Sequence, residues 1–106
     1  MTAESEVQVR RRQEGEAILA IANAGISVVG SSVQICHEES TIFQASRSCG
    51  IGTELDAARA ICAGRHGDIV QFDPSDQTFL IRVEWLSGET DELWFGAKAI
   101  HATSRS

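Results

Sequence analysis

The sequence predicts a mainly β, α+β domain: a small antiparallel sheet of five strands closing into a barrel, a helix ahead of it, and a short helix in the long first connection. Three observations carry that expectation. Between Gly64 and Phe95 lie three short β-branched and aromatic runs, separated by Asp73-Pro74-Ser75-Asp76-Gln77 and by Ser87-Gly88, as in an antiparallel meander. Within the middle run, Phe79, Ile81, Val83 and Trp85 alternate with Arg82 and Glu84, the two-residue period of a half-buried strand. Between Ala17 and Ala24, Ile18, Leu19, Ile21 and Ala22 instead recur at helical spacing.

From about Glu4 to Ala24 the residues are good helix formers without proline, with Gly15 weakening the middle and Gly25 suited to end it. The first half of this helix has Val7 and little else apolar, so only the second half has an apolar stripe to bury. Ile26 to Cys36 reads as a strand bent at Gly30-Ser31-Ser32, with Val33 and Ile35 on its buried face. His37 to Gly52 reads as a long connection that Ile42 and Phe43 pin to the sheet. A helix over residues 53–63 follows, begun by a capping box in Thr53-Glu54-Leu55-Asp56 and ended by Gly64. Leu55, Ala58, Ile61 and Cys62 form its apolar face. After the meander, Gly96 to Lys98 makes a tight turn, Ala99 to Ala102 closes the sheet, and residues 103–106 are a tail. The expected organisation is a helical extension over 1–25, one β domain over 26–102, and the tail.

Composition narrows the function. A chain of 106 residues has room for one core, and 42% hydrophobic residues make it foldable. Nine Lys and Arg against fifteen Asp and Glu give a net charge of −6, which repels phosphate and argues against nucleic-acid or anionic-membrane binding. Arg10-Arg11-Arg12 is offset by Glu4, Glu6, Glu14 and Glu16 and reads as a solvated charged face. Cys36, Cys49 and Cys62 are odd in number and widely spaced, which fits free thiols in a reducing, intracellular and cytoplasmic setting, with an organelle also compatible. The apolar segment from Ala17 to Gly30 is too short to span a bilayer.

Little in the chain assembles into catalytic chemistry. Cys36-His37, Cys49, Cys62 and His66 include zinc-ligand types but no C-x-x-C spacing, so the cysteines read as structural and no metal or other cofactor is expected. Cys62 and His66 lie four apart, as a thiol–imidazole pair would on a helix, but Gly64 between them ends the helix. Gly50-x-Gly52 lacks the third glycine and the lysine of a phosphate loop. The two tryptophans carry more information. Trp85 extends the apolar face of the middle strand, whereas Trp94 lies between Leu93 and Phe95 and cannot share their face. One of these three is exposed or covered by the amino-terminal helix.

A first strand, a long loop, a three-strand meander and a closing strand together describe a barrel of the SH3-like kind. From about Gly30 to Ile100 the chain resembles the SH3-like repeat of mind bomb-type ubiquitin ligases and related protist proteins. The matching residues are Val33-x-Ile35, Phe43-Gln44, Gly50-x-Gly52, Cys62-Ala63-Gly64, Gly67-x-x-Val70 with Asp73, Val83-x-Trp85, Gly88, Trp94 and Ile100. The chain departs from the family at Thr53-Glu54, where a Trp is usual, and at Ala97, where a Pro is usual. Both departures bear on ligand binding.

The resemblance implies a non-enzymatic module that docks a peptide or partner protein on the aromatic face of the barrel. The candidate partner-binding residues are Trp94, Trp85, Phe43, Arg82 and Ile18. An alternative is a small structural subunit anchored in a larger assembly by its amino-terminal helix. Behind both stands a small metal- or thiol-dependent enzyme.

Overall fold

Alternating apolar and polar side chains build the meander. Strands β2 (His66–Asp73), β3 (Thr78–Glu84) and β4 (Thr90–Gly96) pair antiparallel in sequence order. The computed structural model describes the backbone of residues 6–103 and the side chains of residues 15–103. The expected helix start at Glu4 and the tail beyond Thr103 lie outside the described residues. On β3, Phe79, Ile81 and Val83 are fully buried, while Arg82 and Glu84 face solvent. Phe79 sits opposite Phe72 on β2 and Phe95 on β4; Ile81 sits opposite Ile69 and Leu93. A register shift between Ile69 and Gln71 leaves Val70 as an extra residue in β2. Without that bulge Phe72 would fall on the opposite face from Ile69. With it, the Phe72 and Phe79 rings meet at 4.9 Å between centroids.

The turns follow their side-chain chemistry. Asp73 Oδ1 accepts from the Ser75 backbone N–H at 2.9 Å and from Ser75 Oγ at 2.6 Å, so Asp73-Pro74 starts the β2–β3 turn as expected. Those two bonds also hold the Asp73 carboxyl below its ordinary pKa. Asp76 Oδ1 takes the N–H and Oγ1–H of Thr78, closing the same turn. Gly88, at φ 89°, supplies the left-handed position of the β3–β4 turn.

Two short strands complete the sheet. β1 (Ser32–Ile35) pairs with both β2 and β5 (Ile100–Ala102), and the ladder runs β4-β3-β2-β1-β5 with β4 and β5 outermost. A 3-10 turn at Ala97–Ala99 links these two strands, close to the expected tight turn. The expected strand over Ile26–Cys36 is shorter than the sequence implied. Gly30, at φ 94°, donates its N–H to Ile69 O at 2.7 Å, and Ser31 bonds back to Val28 at 3.1 Å. This turn takes residues 26–29 off the sheet, while Gly30 and Ser31 still bond Ile69 of β2; Val28 is buried, and Ile26 and Val29 are exposed.

Helix α1 (Glu6–Asn23) ends in a Schellman pattern. The Ile26 N–H reaches Ile21 O at 3.2 Å, the Gly25 N–H reaches Ala22 O at 3.1 Å, and Gly25 has φ 83°. The helix packs on β5 and the 3-10 turn. Gly15 makes that approach possible, because a Cβ there would run into the carbonyl oxygens of Ala97 and Ile100. It is a close-packing site as well as a poor helix former. Ile18, 8% exposed, and Ala22 join the core, whereas Ile21 faces solvent. Ile18→Asp is therefore expected to lower the unfolding free energy by about 2–4 kcal/mol, because a carboxylate would replace a core side chain. Urea titration followed by circular dichroism measures this, and an unchanged midpoint would show that the α1 stripe stabilises something other than this core.

The long connection between β1 and β2 differs most from expectation. Instead of a loop over 37–52, the structure has α2 (Glu39–Cys49), with Ile42, Ala45 and Ser46 buried. Gly50, at φ 69°, ends it in a second Schellman pattern, with Gly50 N–H to Arg47 O and Ile51 N–H to Ser46 O. Ser46 stays inside by donating its hydroxyl to Ile42 O at 3.2 Å. The helix lies against the end of β4, where a Cβ on Gly96 would strike Ala45 O and Cys49 Sγ.

α3 (Asp56–Ile61) is shorter than the expected 53–63, and no capping box forms. Leu55 is its N-cap and has no polar side-chain atom with which to cap it, and the Asp56 carboxylate pairs with Arg59. The expected apolar face is also different. Cys62 points inward, but Leu55 and Ile61 are exposed, and the inward side chain within α3 is Arg59.

Candidate functional site

The two tryptophans singled out in the sequence line two separate grooves. Trp85 follows the last residue of β3, where the chain leaves the sheet, and its ring is half-buried against the core. Two contacts fix its orientation. Its Nε1–H donates to Asp91 Oδ2 at 2.6 Å, and the Arg65 guanidinium lies over the ring, 5.5 Å from its centroid. Leu86 stands beside it, 93% exposed. Trp85, Leu86 and Arg65, together with His66, Asp68 and Arg82, line a groove of about 470 Å³. Arg82 donates from both Nε (3.0 Å) and Nη2 (2.8 Å) to Glu92 Oε2, and about half of its side chain is exposed.

Trp94 lies on the opposite face of β4 from Leu93 and Phe95, as the alternation required, and is half-buried. It lines a second groove, of about 300 Å³, with Ile51, Leu55, Glu54, Asp73 and Asp76. Arg59, 3% exposed, braces this groove from beneath. Its Nε donates to Trp94 O at 2.7 Å, and its Nη1 donates to Gly52 O at 3.0 Å and Asp56 Oδ1 at 2.9 Å. One guanidinium thus ties α3, the segment after α2, and β4 together.

The structure therefore sets Trp85 and Arg82 along one groove and Trp94 along another, although Trp94 and Arg82 are diagonal neighbours on one face of the β3–β4 pair. Phe43 is half-buried on α2 and lines neither groove. Ile18, the remaining candidate, packs into the chain's own core. The sequence reading missed Arg65, Leu86, Asp91 and Arg59. For Asp91 a signal existed. Pairing β3 with β4 around Ser87-Gly88 places Glu84 opposite Thr90 and Val83 opposite Asp91, and so sets Asp91 diagonal to Trp85 on the same face.

The cysteines are all free thiols. Cys62 is fully buried and donates to Ala58 O at 3.4 Å. Burial, reinforced by the Asp91 charge and partly offset by Arg65, pushes its pKa from 9.0 up to about 11. Burial also raises the Cys49 thiol. Cys62 should therefore resist alkylation by iodoacetamide at neutral pH until the protein unfolds, which mass spectrometry of the native and denatured protein would show. Because its folded pKa lies above its unfolded value, its contribution to stability is intact below about pH 9 and is lost as pH rises toward 11. Among the described residues, no group of three or more His, Cys, Asp or Glu side chains gathers where it could hold a metal ion. No helix among them is long and apolar enough to cross a membrane. Known protein families and curated proteins offer no further guide, since none of them matches the chain.

Proposed function

We propose that this chain is a non-enzymatic protein-interaction module, a small SH3-like barrel that docks a peptide of a partner protein inside the cell. The observation that carries this reading is the Trp85 groove. There a large aromatic ring is held in place by a hydrogen bond and a stacked guanidinium, beside a leucine exposed almost completely. Pre-oriented aromatic anchors lose little freedom on binding, and aromatic and arginine side chains dominate binding energy at interfaces. Arg65, Arg82, Asp68 and Glu84 offer polar contacts around it.

The strand order supports the SH3-like reading. A ladder of β4-β3-β2-β1-β5, a long β1–β2 connection and a 3-10 turn ahead of the last strand fit the resemblance to the mind bomb-type repeat. The subunit alternative loses its main anchor, because Ile18 packs into the domain itself. The buried, protonated Cys62 thiol argues against thiol chemistry.

Selection from a random phage-displayed peptide library on the native domain tests the proposal. Enriched peptides should bind the parent and lose binding to Trp85→Ala and Leu86→Asp, both checked for native circular dichroism. No enrichment, or equal binding to the variants, would overturn the Trp85 groove as a docking site.

A further inference from the structure

We infer that the Trp94 groove is a second docking site, one that takes a single cationic side chain, lysine or arginine, from a peptide segment of a partner. The inference deepens the module reading and rests on it, but it draws on different residues. The groove combines an apolar wall with an excess of negative charge. Trp94 and Leu55 supply the wall, and Leu55 remains 49% exposed although it is apolar. Glu54, Asp73 and Asp76 supply three carboxylates around it.

The only cation among these lining residues is Arg59, and its charge is already committed. It is buried beneath the groove on two carbonyl oxygens and the Asp56 carboxylate. Asp73 and Asp76 each direct Oδ1 into their own turn, at Ser75 and at Thr78, and have Oδ2 left for a visitor. Asp73 stays ionised because the Ser75 bonds favour its charged form.

An indole face attracts a cation through its quadrupole, and carboxylates at the rim strengthen that attraction and select its sign. A lysine or arginine also brings a long aliphatic stem, which matches the Leu55–Trp94 wall while its head reaches the carboxylates. An acidic segment would be repelled. A purely apolar one would satisfy the wall but leave the three carboxylates without a counter-charge.

The test uses the full chain and short acetylated, amidated peptides of Gly and Ser around one central Arg, Lys or norleucine, followed by proton–nitrogen correlation spectra at low salt. The Arg and Lys peptides should shift the Trp94 indole and Leu55 amide signals, and the effect should weaken as salt rises. Norleucine should do neither. The triple variant Glu54→Gln, Asp73→Asn, Asp76→Asn retains every Oδ1 turn acceptor, and it should bind about tenfold more weakly or worse. Trp94→Leu should also lose binding, while Trp85→Ala should retain it.

Absence of shifts at Trp94, equal shifts with norleucine, or full binding by the triple variant would overturn the proposal. Shifts from the Arg peptide confined to Trp85 and Leu86 would also overturn it, while leaving the module reading standing. The module reading itself fails only if the library selection at the Trp85 groove fails too.

Discussion

Phe79→Ala is expected to lower the unfolding free energy by about 3–5 kcal/mol, since the deleted ring is fully buried in the core. Phe79 is fully buried, faces Phe72 across one strand pair and Phe95 across the other, and neighbours Ile81 on its own face. The three aromatic residues lie on three strands, so backbone hydrogen bonding limits how far the walls can move in to fill a hole. Each kcal/mol corresponds to about 4–8 °C of melting temperature in a domain near this size, so a drop of at least about 12 °C should accompany the loss. Urea titration at constant slope measures it, with Phe79→Leu expected to cost about 1–2 kcal/mol. A loss below about 1.5 kcal/mol for Phe79→Ala would show that the site collapses freely and that this aromatic row is not the centre of the core.

Arg59→Met should rival it, at about 3–5 kcal/mol, for a different reason. Methionine fills much the same volume but donates nothing. Trp94 O and Gly52 O would lose their donor, and the Asp56 carboxylate would lose its counter-charge at a site only 16% exposed. Arg59→Lys should recover only part of the loss, because an ammonium cannot reproduce a fork spread over three oxygens. The exposed Arg82–Glu92 pair is the internal control. Its bond distances are similar, yet Arg82→Ala should cost no more than about 1 kcal/mol, and that cost should shrink in salt. If the two arginines prove equally dispensable, the buried tie is not what holds α3 to β4.

The contrast between these arginines explains much of what could be read from the sequence. Arg82 alternates with Ile81 and Val83, and period two alone puts it outside. Nothing local distinguishes Arg59 from any helical arginine, because its burial depends on carbonyl oxygens contributed by distant segments. Leu55 and Ile61 misled for the complementary reason. They have the right spacing, but α3 is six residues long, and its orientation is set by Arg59 and Cys62. α2 was hidden by Thr41-Ile42-Phe43, a β-branched and aromatic run, and by a buried stripe completed with Ala45 and Ser46, which carry little hydrophobic signal. The meander was legible throughout except for the bulge at Val70, a register choice that only the partner strand reveals. Of the candidate sites, the tryptophans were visible as residues. Their division between two grooves depends on where β3 ends and on which side of β4 Trp94 falls.

The seat of α1 has a consequence for how the protein is made. β1 and α1 both rest on β5, so early and late parts of the chain are stitched directly together; Gln34 and His101, bonded at 3.0 Å, are 67 positions apart in sequence. On the ribosome the meander can pair as soon as β4 is clear of the exit tunnel. α1 and the outer edge of β1 must wait with their apolar residues uncovered until residues 100–102 arrive. Contacts this distant in sequence slow folding, and the interval is one in which a holding chaperone or a neighbouring nascent chain can occupy the same surface. A released chain cut short just before Ile100 would keep the segments of the meander but have an unseated helix and a bare β1 edge, which is a substrate for quality control and not a weaker version of the folded domain.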